Sequence, residues 1–422
     1  MDFSISDNVI TFLDRLDAFI ESEIEPLERE HPQYFDHRRE WARTDWEAGG
    51  TPAESWEELL GEMKRRADAA GFYRYALPEV LGGSGATNLE LAIVREHLAH
   101  RGLGLHNDLQ NESSVVANLP FAHIVHDFGT AAQREELLEP MITGKAPVAF
   151  ALTEPEHGSD ATWMDTRAVR EGDEWVIEGV KKWNSGVHHA AHDVVFARTS
   201  GKDGEAAGIT AFVVPMSAPG LKVVSYEWTF NMPTDHATVS ISGVRVPHSA
   251  ILGVEGEGLT IAQHFVHENR IRQAASSLGA AQYCIDRAAQ RASERITFGQ
   301  TLSRRQAIQW PLVELHTEAE MVRGLVRKAA WTLDQATDPT DVGDLVSMAN
   351  YRANRLVCEA ADRAMQVFGG DGYSRNEPFE HIYRHHRRYR ITEGSEEIQI
   401  RRVAGFLFGF AGPRRIGGGQ RS

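Results

Sequence analysis

The 422-residue chain carries 42% hydrophobic residues and a formal net charge of −16 at pH 7, long enough for two or three domains with substantial cores. The acidic balance disfavours nonspecific attraction to nucleic acid or anionic lipid. The two cysteines, Cys284 and Cys358, lie far apart and outside any CxxC spacing, which argues against a disulfide framework or a zinc site.

The N-terminus begins Met1-Asp2 without a basic segment and apolar core, unlike a leader. No run approaches the ~18 apolar residues of a membrane span. The expectation is a soluble protein in a reduced, cytoplasmic setting, with neither membrane nor nucleic acid as partner.

From residue 8 to about 138 the pattern is helical. Val9, Ile10, Phe12, Leu13, Leu16, Phe19, Ile20 and Ile24 recur at three- and four-residue steps, which predicts an amphipathic opening helix. A second helical stretch covers 56–70 and ends at Gly71; the turn signals Pro78, Gly82, Gly83 and Gly85 precede another helix near Asn88. After Gly144 short β-favouring runs at 175–177, 194–197, 209–215, 221–224 and 237–246 alternate with glycine and charged turns, predicting a small antiparallel β-domain. Helical periodicity returns near 259–293, 304–336 and 342–368, with a final helix from about Ser395, a set that can pack as a four-helix bundle. The reading is an α+β multidomain chain: an N-terminal all-α domain over 1–147, a middle antiparallel β-domain over 148–258 and a C-terminal four-helix bundle over 259–422. The Gly-rich tail at Gly417 to Gly419 is expected to fray.

Four segments carry chemistry. Ala151-Leu152-Thr153-Glu154-Pro155-Glu156-His157-Gly158-Ser159-Asp160 combines hydroxyls, small residues and turn-formers, so its backbone can approach a flat polar ligand. Lys181-Lys182-Trp183-Asn184-Ser185-Gly186 sets an indole near a hydroxyl, suited to covering an aromatic ring while hydrogen-bonding its edge. The bland readings are a capped loop and a tryptophan in a sheet core. Glu294-Arg295-Ile296-Thr297-Phe298-Gly299-Gln300 and Gln366-Val367-Phe368-Gly369-Gly370-Asp371-Gly372-Tyr373 end two long helices. Helix C-caps are the ordinary explanation of Gly299 and Gly369, although an arginine beside a turn can hold a phosphate and a Gly-Gly-x-Gly turn can let one approach.

In these segments, taken in order, the chain resembles an acyl-CoA dehydrogenase over nearly its whole length. Phe150 to Asp160 is similar to the family's first signature, Trp183 to Ser185 to its flavin-covering strand and Arg295 to Gln306 to its Arg-x-Thr-Phe-Gly segment. Gln366 to Gly394 is similar to the second signature running into the catalytic loop, and Pro78-Glu79-x-x-Gly-Gly-x-Gly to the helical domain. The resemblance implies bound FAD. It sets Phe150, Leu152, Thr153 and Ser159 along the flavin, with Ser159 also on the substrate's pantetheine arm, Trp183 over the isoalloxazine and Ser185 donating near its N5. It sets Arg295, Phe298, Gln306, Gln366 and Gly370 against the adenosine and pyrophosphate of a neighbouring subunit's FAD, with Ser395 completing the cofactor set. A homodimer or homotetramer follows, with an acyl-CoA substrate and an electron-transfer flavoprotein as acceptor.

The same resemblance makes Glu393, in Tyr389-Arg390-Ile391-Thr392-Glu393-Gly394-Ser395, the general base, where a surface turn is the default without it. A thioester α-proton is weakly acidic, so a base must be held within reach while the carbonyl is polarised. Excluding water from a carboxylate strengthens it as a base. Gly394 and Arg270 are implied on the substrate side, Arg270 also orienting Glu393. Some relatives carry the base immediately before that arginine; here Asn269 stands there and cannot serve, and Glu268 points about 100° away on a helix.

His157 and Trp163 replace small residues of the first signature, Asn184-Ser185-Gly186 replaces the commoner Ile-Thr-Asn, and His381 and His385 replace a frequent Lys and Asp. These departures bear on which acyl chain is used. Two other functions are weighed: a flavin oxidase or monooxygenase of the same fold, against which Glu393 argues, and a DNA-associated paralogue, suggested by the basic run 384–390. His188, His189 and His192 have only Asp193 as a nearby acid in sequence, and read as polar turns rather than a metal site.

Overall fold

The computed structural model describes residues 4–108 and 113–410. The expectations for Met1-Asp2 and for fraying at Gly417 to Gly419 lie outside the described residues. The chain forms two compact units. One holds the described residues of Met1–Arg39, Glu62–Asn118 and His267–Ser422, and the other Glu40–Gly61 and Leu119–Val266.

The second unit is built on an eight-stranded sheet. Its strands are β1 (Val148–Ala151), β2 (Arg167–Glu171), β3 (Glu174–Ser185), β4 (His192–Arg198), β5 (Ile209–Pro215), β6 (Leu221–Tyr226), β7 (His236–Pro247) and β8 (Ile251–Leu252). The order is β8-β5-β4-β2-β3-β7-β6, with β1 laid parallel to β4 off that path. The five predicted runs all become strands. The sequence reading missed β1, β2 and β8, which are too short or too charged to show an alternation.

Strands β4 and β5 are buried along almost their whole length, as expected of strands covered on both faces. Trp175, Ile177, Val195, Phe212, Val239 and Ile241 belong to one core. Phe196 packs with Phe150, and Phe150 with Phe121 and Phe265. Burial of each such side chain contributes roughly 1.5–3 kcal/mol. A short hairpin, Thr44–Asp45 with Thr51–Pro52, interrupts the stretch read as wholly helical.

The first unit is helical. Its main members are α1 (Asn88–His100), α2 (Gly258–Glu294, from His267), α3 (Gln306–Asp334), α4 (Gly343–Phe368), α5 (Phe379–Arg388) and α6 (Glu396–Leu407). Thr87 and Glu90 form a capping box at the start of α1, which explains why the helix begins where the turn signals end. The core is rich in alanine, including Ala274, Ala281, Ala319, Ala353 and Ala361, so helix axes can approach closely. At Gly279 an added Cβ would lie 2.1 Å from the Glu96 carbonyl oxygen; only glycine admits α1 there. Helix α5 falls on the basic run and was not anticipated. Cys284 and Cys358 are buried free thiols. Among the described residues no helix is long and apolar enough to cross a membrane.

Candidate active site

In β3 the odd-numbered Trp175, Ile177 and Lys181 are buried, and strict alternation would bury Trp183 as well. A bulge between Lys182 and Asn184 prevents this. The extra residue is Trp183, at φ +68, and beyond it the parity switches: Asn184 is buried, while Trp183 is 48% exposed and Ser185 is exposed. A bulge re-aims side chains in this way. The tryptophan is therefore not the sheet-core residue of the bland reading.

The Lys182 N–H donates to the Thr153 carbonyl at 2.9 Å, which brings the first signature beside the bulge. Leu152 and Thr153 are half-buried there, and Ser159 is exposed beyond the turn at Glu154 to His157. Phe150 is engaged elsewhere, stacked on Phe265 with centroids 4.3 Å apart.

Behind this face lies a charge pair that no local sequence pattern singles out. Lys181 Nζ is 2.8 Å from Glu154 Oε1, both side chains almost fully buried. Burial pushes the Lys181 ammonium down to about 8; with a carboxylate in contact it remains charged at neutral pH. Burial also acts to raise the Glu154 carboxyl, but Lys181 and the N–H groups of Thr166 and Asp165 outweigh it and hold Glu154 below its ordinary range. Lys181 also donates to the Leu152 carbonyl at 3.1 Å, so the pair fixes the backbone of the signature. Nearby, Asn184 Nδ2 donates to Asp193 Oδ2 at 2.7 Å, and burial pushes Asp193 up to about 7.

In the helical unit Glu393 stands at φ +55, followed by Gly394 at +84. A left-handed glutamate is uncommon and must be held by its surroundings. Arg270 holds it: Nε and Nη2 both donate to the Glu393 carbonyl, at 2.9 and 2.6 Å. An added Cβ at Gly394 would lie 2.7 Å from that guanidinium, and its φ of +84 is one that side chains other than glycine rarely adopt. Burial pulls Arg270 down to about 10, against the charge of Glu393.

The rest of the loop is equally anchored. Asn354 Nδ2 donates to the Tyr389 carbonyl at 3.0 Å, Gln399 Nε2 to the Gly394 carbonyl at 2.8 Å, and Asn350 Nδ2 to the Arg270 carbonyl at 2.8 Å. Glu396 accepts from both Arg390 and Arg355, and these guanidiniums, Arg390 foremost, hold its carboxyl down at about 2. Ser395 occupies the N-cap position of α6 without a side-chain capping hydrogen bond. Glu393 itself is half-buried. Thr392 Oγ1 beside it is buried with no hydrogen-bond partner among the described residues. Asn269 is buried and accepts from Asn118 at 2.8 Å.

At one end of the helical unit, Arg291 Nη2 donates to Asp371 at 2.6 Å, drawing the Arg295 segment and the Gly370 turn together. Residues Ile296–Thr297 and Gln300–Thr301 pair as a hairpin with Phe298 at φ +49 and Gly299 at +77. Positive φ at both central residues is the two-residue hairpin turn, so Gly299 is not the helix C-cap of the ordinary explanation. That turn leaves the Phe298 ring 97% exposed. Arg295, Gln306, Gln366, Gly369 and Gly370 are also exposed, and nothing lies within 4 Å of a Cβ built on either glycine.

The histidines and the basic run resolve differently. His188 Nε2 lies 2.7 Å from His189 Nδ1 and 3.7 Å from Glu57, an acid the sequence reading did not connect with them. His188 Nδ1 is buried without a hydrogen-bond partner among the described residues. An orphaned N–H is the costlier alternative, which favours the tautomer whose Nε2–H donates to His189 Nδ1. In the second group of possible ligands, Glu154, His157 and Asp165, the glutamate is already committed to Lys181. Along 384–390, Arg384 pairs with Glu380 and Arg390 with Glu396, while His381, His385 and His386 are buried.

Profiles of the acyl-CoA dehydrogenase N-terminal, middle and C-terminal domains match residues 6–145, 149–244 and 256–408. A Mycobacterium tuberculosis protein named "Probable acyl-CoA dehydrogenase FadE2" is 31% identical over 96% of this chain and 96% of its own length. The chain belongs to the acyl-CoA dehydrogenase family. It is an oxidoreductase of that FAD-dependent class, as the motif resemblance implied. Two further similar proteins frame it. The caffeyl-CoA reductase-Etf complex subunit CarC of Acetobacterium woodii is 31% identical over 83% of this chain and 89% of its own. Butyryl-CoA dehydrogenase of Megasphaera elsdenii has the same fold, with a TM-score of 0.76 and 27% identity over 97% of this chain and 100% of that one.

Proposed function

We propose that the chain removes a proton and a hydride from adjacent carbons of an acyl-CoA thioester to give the 2-enoyl-CoA, with FAD as cofactor and Glu393 as general base. The observation that carries this reading is the left-handed Glu393, whose carbonyl is gripped by buried Arg270, on the loop that the family resemblance assigns to the base. FAD, when bound, supplies the hydride acceptor at N5.

The residues present fit such a group. An outward-turned indole, Trp183, stands two residues from the exposed hydroxyl of Ser185, suited to a ring face and a ring edge. Thr153, Leu152 and Ser159 would line the flavin, Ser159 also the pantetheine arm, Ser395 would complete the cofactor set, and Phe150 would support the strand from behind through its stack on Phe265. Open glycines at 369 and 370 and the exposed Arg295, Gln306 and Gln366 suit a pyrophosphate and adenosine.

Glu393 takes the α-proton, its fixed backbone keeping the carboxylate within reach. Its amide N–H donates to the thioester oxygen, where negative charge develops. Gly394 allows close approach of substrate, and Arg270 keeps the loop in one conformation.

Self-association as a dimer or tetramer is supported by solvent-facing Phe298 and by Tyr373, 93% exposed, on the segments assigned to a neighbouring subunit's FAD. An electron-transfer flavoprotein as acceptor is supported by the name of the CarC relative, which places that protein in an Etf complex. The working domain division remains 1–147, 148–258 and 259–422, and the setting cytoplasmic.

Anaerobic titration of the FAD-loaded protein with a panel of acyl-CoA thioesters tests the reading. Bleaching of the flavin by at least one thioester, with release of the enoyl product, is expected. Peroxide release under air with no reduction of an artificial acceptor would replace it with an oxidase.

A further inference from the structure

Ser185 and His236 are directly opposed residues of the antiparallel pair β3–β7, so their side chains leave the sheet on the same face. Ser185 Oγ lies 2.8 Å from His236 Nδ1. The same Nδ1 lies 3.4 Å from Asp235 Oδ1, and both of these side chains are partly buried, 15% and 21% exposed. The imidazole also meets the Trp183 ring edge-on, with centroids 6.4 Å apart at 82°. Its backbone is fixed: His236 N–H donates to Thr234 Oγ1 at 3.3 Å and its carbonyl accepts from Glu227 N–H at 2.9 Å. Asp235 is tied back as well, its carbonyl accepting from Gly186 N–H at 2.7 Å.

The direction of the serine–histidine hydrogen bond decides what the serine can do. A neutral imidazole carries one proton, and the group facing each nitrogen selects which one holds it. A bare Nδ1 would set its lone pair against the Asp235 carboxylate. A protonated Nδ1 faces two acceptors, Asp235 Oδ1 and Ser185 Oγ. A hydroxyl has one proton and two lone pairs; once Ser185 accepts from His236, its own proton is free to be donated outward.

We propose that His236, set by Asp235, is a positioning residue that donates through Nδ1–H to Ser185 and so turns the Ser185 hydroxyl proton toward the N5 edge of the flavin. This rests on the flavin reading above and adds a residue that neither signature contains. The device is local to one sheet face: Asp235 selects the tautomer, His236 transmits it across the strand pair, and Ser185 delivers it beside Trp183.

The test uses FAD-loaded protein and reads the midpoint potential and visible spectrum of the flavin as well as the rate of its reduction by substrate. His236→Leu keeps a side chain against Trp183 and removes the N–H; His236→Asn restores a donor at the Nδ1 position. Ser185→Ala and H236L are expected to lower the potential alike and to slow reduction about tenfold, the loss of one hydrogen bond. H236N is expected to match the parent protein, and S185A/H236L to match S185A alone. Should H236L not fold, His236→Ala takes its place. A shift in S185A with none in H236L, an additive double variant, or failure of H236N to restore the potential each overturns the positioning role alone. A parent protein that takes up no FAD overturns the flavin reading, and this role with it.

Discussion

Trp183 and Glu393 both present a side chain from left-handed backbone, yet different forces hold them there. At Trp183 the force is the sheet: one extra residue in β3 shifts the parity against β7, and the ladder on either side enforces the turn-out. At Glu393 it is a set of buried polar groups on helices, Arg270 on its own carbonyl, Asn354 on the Tyr389 carbonyl and Gln399, from the helix that follows, on the Gly394 carbonyl. A register is tolerant of substitution because many backbone bonds share it. A network of single buried donors is not, since each loss leaves a polar group unpaired.

The largest effect that sharpens this contrast is at the loop. Glu393→Gln keeps the size of the side chain and removes the base, and turnover is expected to fall by about a hundred- to ten-thousandfold with FAD content unchanged; steady-state kinetics on the loaded variant checks it. Next, Arg270→Met leaves every sheet residue in place and releases the Glu393 carbonyl. A base displaced by an ångström costs about a hundredfold in kcat, with the spectrum of the bound flavin unaltered, because Trp183 and Ser185 depend on the ladder instead.

Beneath the sheet face, Glu154→Gln strands the Lys181 ammonium in the interior and is expected to cost about 3–5 kcal/mol. The double change Glu154→Leu with Lys181→Met should cost markedly less. Chemical denaturation followed by tryptophan fluorescence measures both.

The smallest effect concerns pH. Asp193 has its folded-state pKa raised by burial to about 7 from an ordinary 3.8. Between those values the folded protein binds more protons than the unfolded chain, so this group's contribution to stability is present below pH 4 and is lost as pH rises toward 7 and beyond. Asp193→Asn abolishes that dependence. The gap between melting temperatures at pH 5 and pH 8 should shift by roughly 4 °C in favour of the variant at pH 8.

Much of this was legible in the sequence, and unevenly so. Runs such as 209–215, the long helical periods and the Thr87 start of α1 follow from local propensity and capping, which act over a few residues. The signature motifs located Trp183, Ser185 and Glu393 because motif order is a property of the chain. What held them was not legible. The pairing of Lys181 with Glu154, of Arg270 with the Glu393 carbonyl, and of His236 with Ser185 joins residues 27, 123 and 51 positions apart, and no local pattern marks such partners. A helix cap is the ordinary explanation of Gly299 because a glycine after a helix usually is one; the hairpin appears only once Arg295 to Thr301 is seen to fold back. The basic run at 384–390 suggested a ligand-facing surface because charge is visible in sequence, whereas the carboxylates of Glu380 and Glu396 that neutralise part of it are not visible as partners.

The assignment of Glu393 meets its most direct test in proton exchange. The FAD-loaded protein and its Glu393→Gln variant are incubated in deuterated water with an acyl-CoA whose β-carbon is replaced by sulfur, so that no hydride can leave, and deuterium at carbon 2 is followed by mass spectrometry. Rapid incorporation with the parent protein and only the uncatalysed background with the variant is the expected result. Equal incorporation by both would show that another group takes the proton.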